Sequence, residues 1–263
     1  MHHAALRTVP IEPGMFCWFE LSTRDVPRGR DFYSRLMRAG ARAMPMGEVD
    51  CTLLDVQGHT VAGLMPIGAD EEDDALSRWL PYIAVADVDR TCREVARLGG
   101  AVRCPPTDIP IGRFALITDP TGGLVALVQP APGKTDGTNP VGPGAFVWCE
   151  LVTRDVPIAS EFYAKLLGWV PQFRVVGATS FIEMKAGPHP VASVFEACAD
   201  ESTSIAHWCP YLCVEDIHAS LAAAVRMGGR KLCEPMEIPG IGTYAGLTDP
   251  TGAHLALFEP LDQ

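Results

Sequence analysis

No stretch of this 263-residue chain approaches the roughly 20 consecutive apolar residues that a bilayer-spanning helix needs, so a helical membrane protein is excluded. Neither half carries a clustered surplus of Lys and Arg, and the formal net charge is −11. Nucleic acid is therefore not an expected partner, because phosphate contacts need such a surplus. There is no C-x-x-C pair: the nine cysteines are odd in number and scattered, mostly inside apolar runs. That pattern suits free thiols in a reducing compartment better than a disulfide framework. A glycine-rich phosphate cradle and a G-x-S-x-G elbow are both missing. With 48% hydrophobic and 20% charged residues, the chain is not of the disordered class either. Met1-His2-His3 leads into polar, proline-containing sequence unlike a signal peptide, and a cytoplasmic location is the expectation.

What is present is a repeat. Phe16-Cys17-Trp18-Phe19-Glu20-Leu21-Ser22-Thr23-Arg24-Asp25-Val26-Pro27, followed by Phe32-Tyr33, returns as Phe146-Val147-Trp148-Cys149-Glu150-Leu151-Val152-Thr153-Arg154-Asp155-Val156-Pro157, followed by Phe162-Tyr163. Trp79-x-Pro81-Tyr82 returns as Trp208-x-Pro210-Tyr211, Gly99-Gly100 as Gly228-Gly229, and Asp119-Pro120-Thr121-Gly122 as Asp249-Pro250-Thr251-Gly252. The offset is 129 in the middle and 130 at both ends, which places one inserted residue near Gly240. Such a repeat fixes the architecture.

Residues 1 to 15 carry no periodicity and read as an N-terminal arm. Phe16 to Ser22 reads as a strand, and Asp25 is a natural N-cap for a helix with Pro27 in its first turn, ending near Gly40. Strands are expected at 41–46, 51–56 and 60–65. An acidic loop, Glu71-Glu72-Asp73-Asp74 within it, separates this unit from a second. The second has a strand at 80–86, a helix opened by Asp87 and stopped at Gly99-Gly100, and strands near 101–104, 114–118 and 124–128. Both units read β-α-β-β-β. The expected fold class is α+β: four βαβββ units in two tandem modules, 14–130 and 144–260, each a cupped mixed sheet with helices outside. Residues 131–143, rich in Gly and Pro, are the expected linker.

The W-x-E-L-x-T-x-D motif with its trailing Phe-Tyr, the D-V-D and D-I-H helix starts, L-G-G and M-G-G, and D-P-T-G before the last strand together resemble the vicinal oxygen chelate superfamily. That group holds glyoxalase I, extradiol dioxygenases and bleomycin-resistance proteins. The resemblance covers nearly all of residues 14 to 260 and is nearest to two-module actinobacterial glyoxalase-like proteins. It implies a cupped sheet whose concave face holds a divalent metal, with ligands from the first strand of a unit and from the last strand, seven residues after the Asp of D-P-x-G. Carried over, the first-strand positions are Trp18, Leu80, Trp148 and Cys209, and the last-strand positions are Ala126 and Ala256. Tryptophan, leucine and alanine offer a metal no lone pair. No metal or other cofactor is therefore expected, nor a glyoxalase I or dioxygenase mechanism that needs a Lewis acid.

Strand side chains alternate faces, so residues two away from an inward position also point inward. The first cup then gathers Trp18, Glu20, Leu80, Tyr82, Ala84, Leu124 and Ala126, and the second Trp148, Glu150, Cys209, Tyr211, Cys213, His254 and Ala256. The shared set of tryptophan, glutamate and tyrosine suits a flat organic ligand, although each glutamate could equally serve only to tie down a neighbour. Only the second cup adds His254, Cys209 and Cys213, with His207 one step further out. Glu150 and His254 are the candidate acid–base pair. Trp148, Tyr211, Cys209, Cys213, Trp18, Glu20 and Tyr82 are the candidate ligand-binding residues. A His-Cys-Cys or His-Cys-Glu zinc site is the surviving metal alternative, and the bland alternative makes the cysteines small buried hydrophobes and His254 a rim residue. Two functions stay open: a metal-independent lyase, isomerase or cyclase of specialised metabolism, and a sequestering, bleomycin-resistance-like binder of a small, partly aromatic molecule. Since one chain can close both cups, a monomer or weak homodimer is expected.

Overall fold

Each helix opens on an aspartate side chain. Asp25 and Asp155 accept from the main-chain N–H of Arg28 and Ile158, both at 3.0 Å, and Asp87 and Asp216 from those of Arg90 and Ala219, both at 2.8 Å. Each cap satisfies a helix-end donor that would otherwise lack a partner, at a gain of about 1 kcal/mol. The computed structural model describes residues 5–46, 49–68, 76–133, 137–177, 179–197 and 206–261. The acidic run from Glu71 to Asp74 and Cys198 lie outside these residues.

The first half runs β1 (Arg7–Pro10), β2 (Phe16–Thr23), α1 (Val26–Leu36), β3 (Gly40–Met46), β4 (Val49–Val56), β5 (His59–Pro66), β6 (Arg78–Ala84), α2 (Val88–Arg97), β7 (Ala101–Ile109), β8 (Gly112–Thr118) and β9 (Leu124–Pro130). After β10 (Thr138–Val141) come β11 (Phe146–Thr153), α3 (Val156–Leu167), β12 (Val170–Val176), β13 (Thr179–Ala186), β14 (His189–Glu196), β15 (His207–Cys213), α4 (Ile217–Arg226), β16 (Arg230–Lys231), β17 (Met236–Ile238), β18 (Gly242–Thr248) and β19 (His254–Pro260). The first sheet has the order β3-β4-β5-β2-β6-β9-β8-β7, and the second β12-β13-β14-β11-β15-β19-β18-β16 with β17 also on β18. In each, an antiparallel central pair, β2 with β6 or β11 with β15, is flanked by parallel pairings. This is an α+β fold of two modules with curled sheets.

Three details depart from the sequence reading. The first helix stops at Leu36, four residues before Gly40, with Met37 as its cap. β7 continues to Ile109 through two register shifts, where the sequence suggests a strand ending near 104. The N-terminal arm and the Gly/Pro-rich linker are not featureless: β1 and β10 pair antiparallel, Arg7 with Val141 through Pro10 with Thr138. Proline 10 and proline 140 do not prevent this, because a two-stranded ribbon is all edge and leaves outward N–H positions free of ladder duty.

One continuous core spans both halves. It joins Leu21, Ile83 and Leu127 of the first sheet to Leu151, Leu212 and Leu257 of the second. Aromatic rings meet across the junction: Phe19 and Phe146 lie 4.6 Å apart, Trp79 and Phe146 4.7 Å, and Phe16 and Trp208 5.3 Å. The Tyr33 hydroxyl donates to Asp249 Oδ2 at 2.8 Å while accepting from Trp79 Nε1 at 2.8 Å. Its counterpart Tyr163 donates to Asp119 Oδ2 at 2.9 Å and accepts from Trp208 Nε1 at 3.1 Å. The D-P-T-G turns are thus more than turns. Asp119 and Asp249 each hold their own loop through Oδ1, which accepts from Thr121 and Gly123 or from Thr251 and Ala253, and pin the opposite module through Oδ2.

Candidate ligand-binding cups

The concave faces follow from strand register. Residues paired across a sheet share a face. From β3 to β6 one such row reads Arg42, Leu53, Gly63, Glu20, Leu80. From β12 to β15 the matching row reads Gln172, Glu183, Ser193, Glu150, Cys209.

In the first cup Leu80, Tyr82, Ala126 and Val128 form a separate apolar cluster against which Cys17, Trp18, Phe114, Leu116 and Leu124 pack. Cys17 reaches this face because the pairing of β2 shifts between Phe16 and Trp18. Its thiol donates to the Tyr82 carbonyl at 3.6 Å, and burial pushes its pKa up to about 12. Such a thiol is a small hydrophobe and not a nucleophile. Glu20 accepts from the Tyr82 hydroxyl, yet burial outweighs that bond and raises its pKa from 4.5 to about 7.

A cavity of about 560 Å³ opens over this cup. Trp18, Tyr82, Arg42, Met44, Leu53 and Val128 form its cup side. Val9, Asn139 and Pro140 of the β1/β10 ribbon border it, with Ile11 just beyond β1, and Val147, Trp148 and Pro190 of the second module form its far end. Asn139 holds the ribbon in place by donating through Nδ2 to the Phe16 carbonyl at 2.6 Å. Its volume lies in the range of small-molecule sites, and its wall is mainly apolar with a few polar groups.

The second cup is chemically different. Glu150 Oε2 accepts from the Tyr211 hydroxyl at 2.8 Å and the carboxylate also bonds Ser193, but burial again dominates and raises its pKa from 4.5 to about 7. The Trp148 indole N–H donates to Ser193 Oγ at 3.0 Å. Burial, then the nearby Glu150 and Cys233, push the Cys209 thiol well up, and burial with Glu215 raises Cys213 to about 11. Tyr211 faces Tyr244 and Phe258, with ring centroids 6.1 and 6.5 Å away. Glu150, Tyr211, Trp148 and Cys209 therefore stand together. His254 is exposed at the start of β19, with its ring centroid 6.4 Å from that of His207.

Sequence reasoning missed Arg42, Met44, Leu53 and Gly63 in the first module and Glu183 and Ser193 in the second. The available signal was the two-residue alternation of β3 to β5 and of β12 to β14, which puts these residues on the same face as Glu20 and Glu150. The ribbon that borders the cavity had no such signal.

The pattern of the Glyoxalase/Bleomycin resistance protein/Dioxygenase superfamily matches residues 16–127. "Putative glyoxylase CFP32" of Mycobacterium tuberculosis (strain CDC 1551 / Oshkosh) is 32% identical over 250 residues, covering 94% of this chain and 95% of that protein. The anthracycline biosynthesis protein DnrV of Streptomyces peucetius is 30% identical over 261 residues, covering 94% of each. Among solved structures, the Mn(II)-bound glyoxalase from Novosphingobium aromaticivorans superposes with a TM-score of 0.64 at 16% identity, over 95% of this chain and 83% of that one. The chain belongs to the glyoxalase/bleomycin resistance/dioxygenase superfamily.

The metal that this family implies does not fit the residues present. Trp18, Leu80 and Ala126 meet within the packed apolar side of the first cup, and Tyr82 pairs with Ala126 across the strands. At the matching positions of the second cup stand Trp148, Cys209 and Ala256, of which only Cys209 offers a metal ligand, and Glu150 is already engaged by Tyr211 and Ser193. Among the described residues no three His, Cys, Asp or Glu side chains form a group that could hold a metal ion. Neither donor set matches the three or four N, O or S ligands that a catalytic divalent metal needs.

Proposed function

We propose that this protein binds a flat, partly aromatic organic molecule in the cavity of its first module, independently of a metal. The observation that carries this reading is the cavity of about 560 Å³ walled by Trp18 and Tyr82 and bordered by the β1/β10 ribbon. An indole face and apolar neighbours gain area burial from a planar ring system, and the ribbon adds wall on the side away from the sheet. Two relatives are named for anthracycline biosynthesis, a chemistry of flat fused rings, which agrees with such a guest. Both cups close within one chain, so a monomer or weak homodimer suffices. Titration with a planar anthracyclinone, followed by tryptophan fluorescence and calorimetry, tests the reading. Saturable binding is expected, weakened about tenfold, ~1.4 kcal/mol, by Trp18→Leu. Absence of binding, or binding indifferent to Trp18, would sink it.

A second reading is favoured by one observation: Glu150 has a pKa raised to about 7 and receives the Tyr211 hydroxyl at 2.8 Å. A carboxyl poised near neutrality can take and return a proton, as a metal-independent lyase, isomerase or cyclase requires. His254, exposed at the start of β19 in the same sheet, would exchange that proton with solvent. In that case Glu150→Gln abolishes turnover while Glu20→Gln leaves it intact.

A further inference from the structure

Trp18 and Trp148 occupy matching positions and differ in what meets the indole N–H. Trp148 donates to Ser193 Oγ at 3.0 Å. In the first module the residue paired with Glu20 is Gly63, where Ser193 pairs with Glu150. Among the described residues no acceptor meets the Trp18 N–H. Nor is there room for a side chain at Gly63, since a Cβ there would stand 2.8 Å from Trp18 Cζ2 and 3.1 Å from Cys51 Sγ. The indole lies against β5, and the cavity that it lines is the remaining place from which an acceptor can come. The N–H is open to water, since it is not one of the buried polar atoms that lack a partner, and a guest that displaced that water without offering an acceptor would forfeit about 1–3 kcal/mol.

Arg42 supplies a second donor to the same cavity. Its Nε donates to Asp55 Oδ2 at 2.8 Å and its Nη2 to Thr60 Oγ1 at 3.1 Å, and the Thr60 hydroxyl donates to Asp55 Oδ1 at 2.6 Å. The guanidinium is thereby fixed in direction, and with five N–H groups it keeps donors beyond these two bonds. Asp55 also neutralises its charge, so the site offers N–H groups more than a net positive field. The Trp18 indole reaches over Gly63 on β5, and Arg42 stands on β3, two strand spacings away, about 10 Å between those backbones. Once the side chains have reached inward, that span leaves room for a fused-ring system between the two donors.

Building on the cavity reading above, we propose that the ligand is a fused-ring aromatic ketone or quinone. One edge carbonyl accepts from the Trp18 indole N–H and another from the Arg42 guanidinium. Arg42 is then a specificity-determining residue that works by direct contact.

Anthracene and 9,10-anthraquinone, flat tricycles that differ in the two carbonyl groups, provide the test. Anthracene binding is followed by its own fluorescence, and anthraquinone is measured as a competitor. The expected result is a preference of about tenfold or more for anthraquinone, as one to two hydrogen bonds would give. Trp18→Phe keeps a flat wall without the N–H, and Arg42→Leu removes the guanidinium. Each should cut the preference several-fold, and the double variant should abolish it while still binding anthracene. Equal affinity of the two probes for the unaltered protein, or a preference that survives in the double variant, overturns the carbonyl inference and leaves the cavity reading standing. Failure of both probes to bind overturns the two together.

Discussion

The same strands, in the same order, build two cup floors of opposite character. Next to the shared glutamate the first module has Leu53, Gly63 and Leu80, and the second has Glu183, Ser193 and Cys209. The shared elements, a carboxyl raised to about 7 and a tyrosine hydroxyl bonded to it, are local to the central strand pair. The differing elements sit on the neighbouring strands, where a substitution leaves the pairing of the central strands intact. An inward surface is thus free to diverge once the convex face has been committed to the common core. The apolar version keeps the open cavity, and the polar version satisfies its own tryptophan.

Exchanging the floors is the strongest way to break this comparison. Leu53→Glu places a carboxylate between Gly63 and Arg42, whose guanidinium Asp55 already engages, whereas Glu183 has Arg174 and Lys185 at 3.8 and 3.6 Å. A loss of about 3 kcal/mol in denaturant unfolding is expected. The reverse change, Glu183→Leu, removes a carboxyl whose Oε1 is buried without a hydrogen bond, and should alter stability by about 1 kcal/mol or less. Comparable losses from both changes would show that the two floors are not the distinct environments described.

The shared carboxyls give an intermediate effect. Glu20 and Glu150 have pKa values raised from 4.5 to about 7 in the folded protein. Between those values the unfolded chain has released protons that the folded chain retains. Stability therefore falls as pH rises from about 4.5 to 7 and levels off above it, by up to about 1.4 kcal/mol per pH unit for each group. Glu20→Gln and Glu150→Gln should each remove a similar part of that slope, read from unfolding curves across the range. If only one of them flattens it, the two carboxyls do not share an environment.

Ser193→Ala, the smallest expected effect, sharpens the contrast between the tryptophans. Trp148 loses its acceptor, and a cost of about 1 kcal/mol with a shift in its fluorescence emission is expected. An unchanged spectrum and stability would mean that Trp148 is already as free as Trp18.

From the sequence alone the duplicated motifs, the four aspartate caps and the βαβββ order could be read, because each rests on contacts within a few residues or on strict alternation along a strand. Alternation also placed Trp18, Leu80, Tyr82 and Ala126 on one face, and it carried enough information to add Leu53 and Glu183 had the outer strands been read the same way. Strand register was decided only by tertiary structure, since the partner of a residue depends on bulges such as the one at Cys17 that no local pattern announces. Long-range pairing likewise made a ribbon of the arm and the linker, bordered the cavity with it, and joined Tyr33 to Asp249 and Tyr163 to Asp119. Those contacts lie between residues 44 to 216 positions apart, and a repeat reveals that two such halves exist without revealing that each one completes the core of the other.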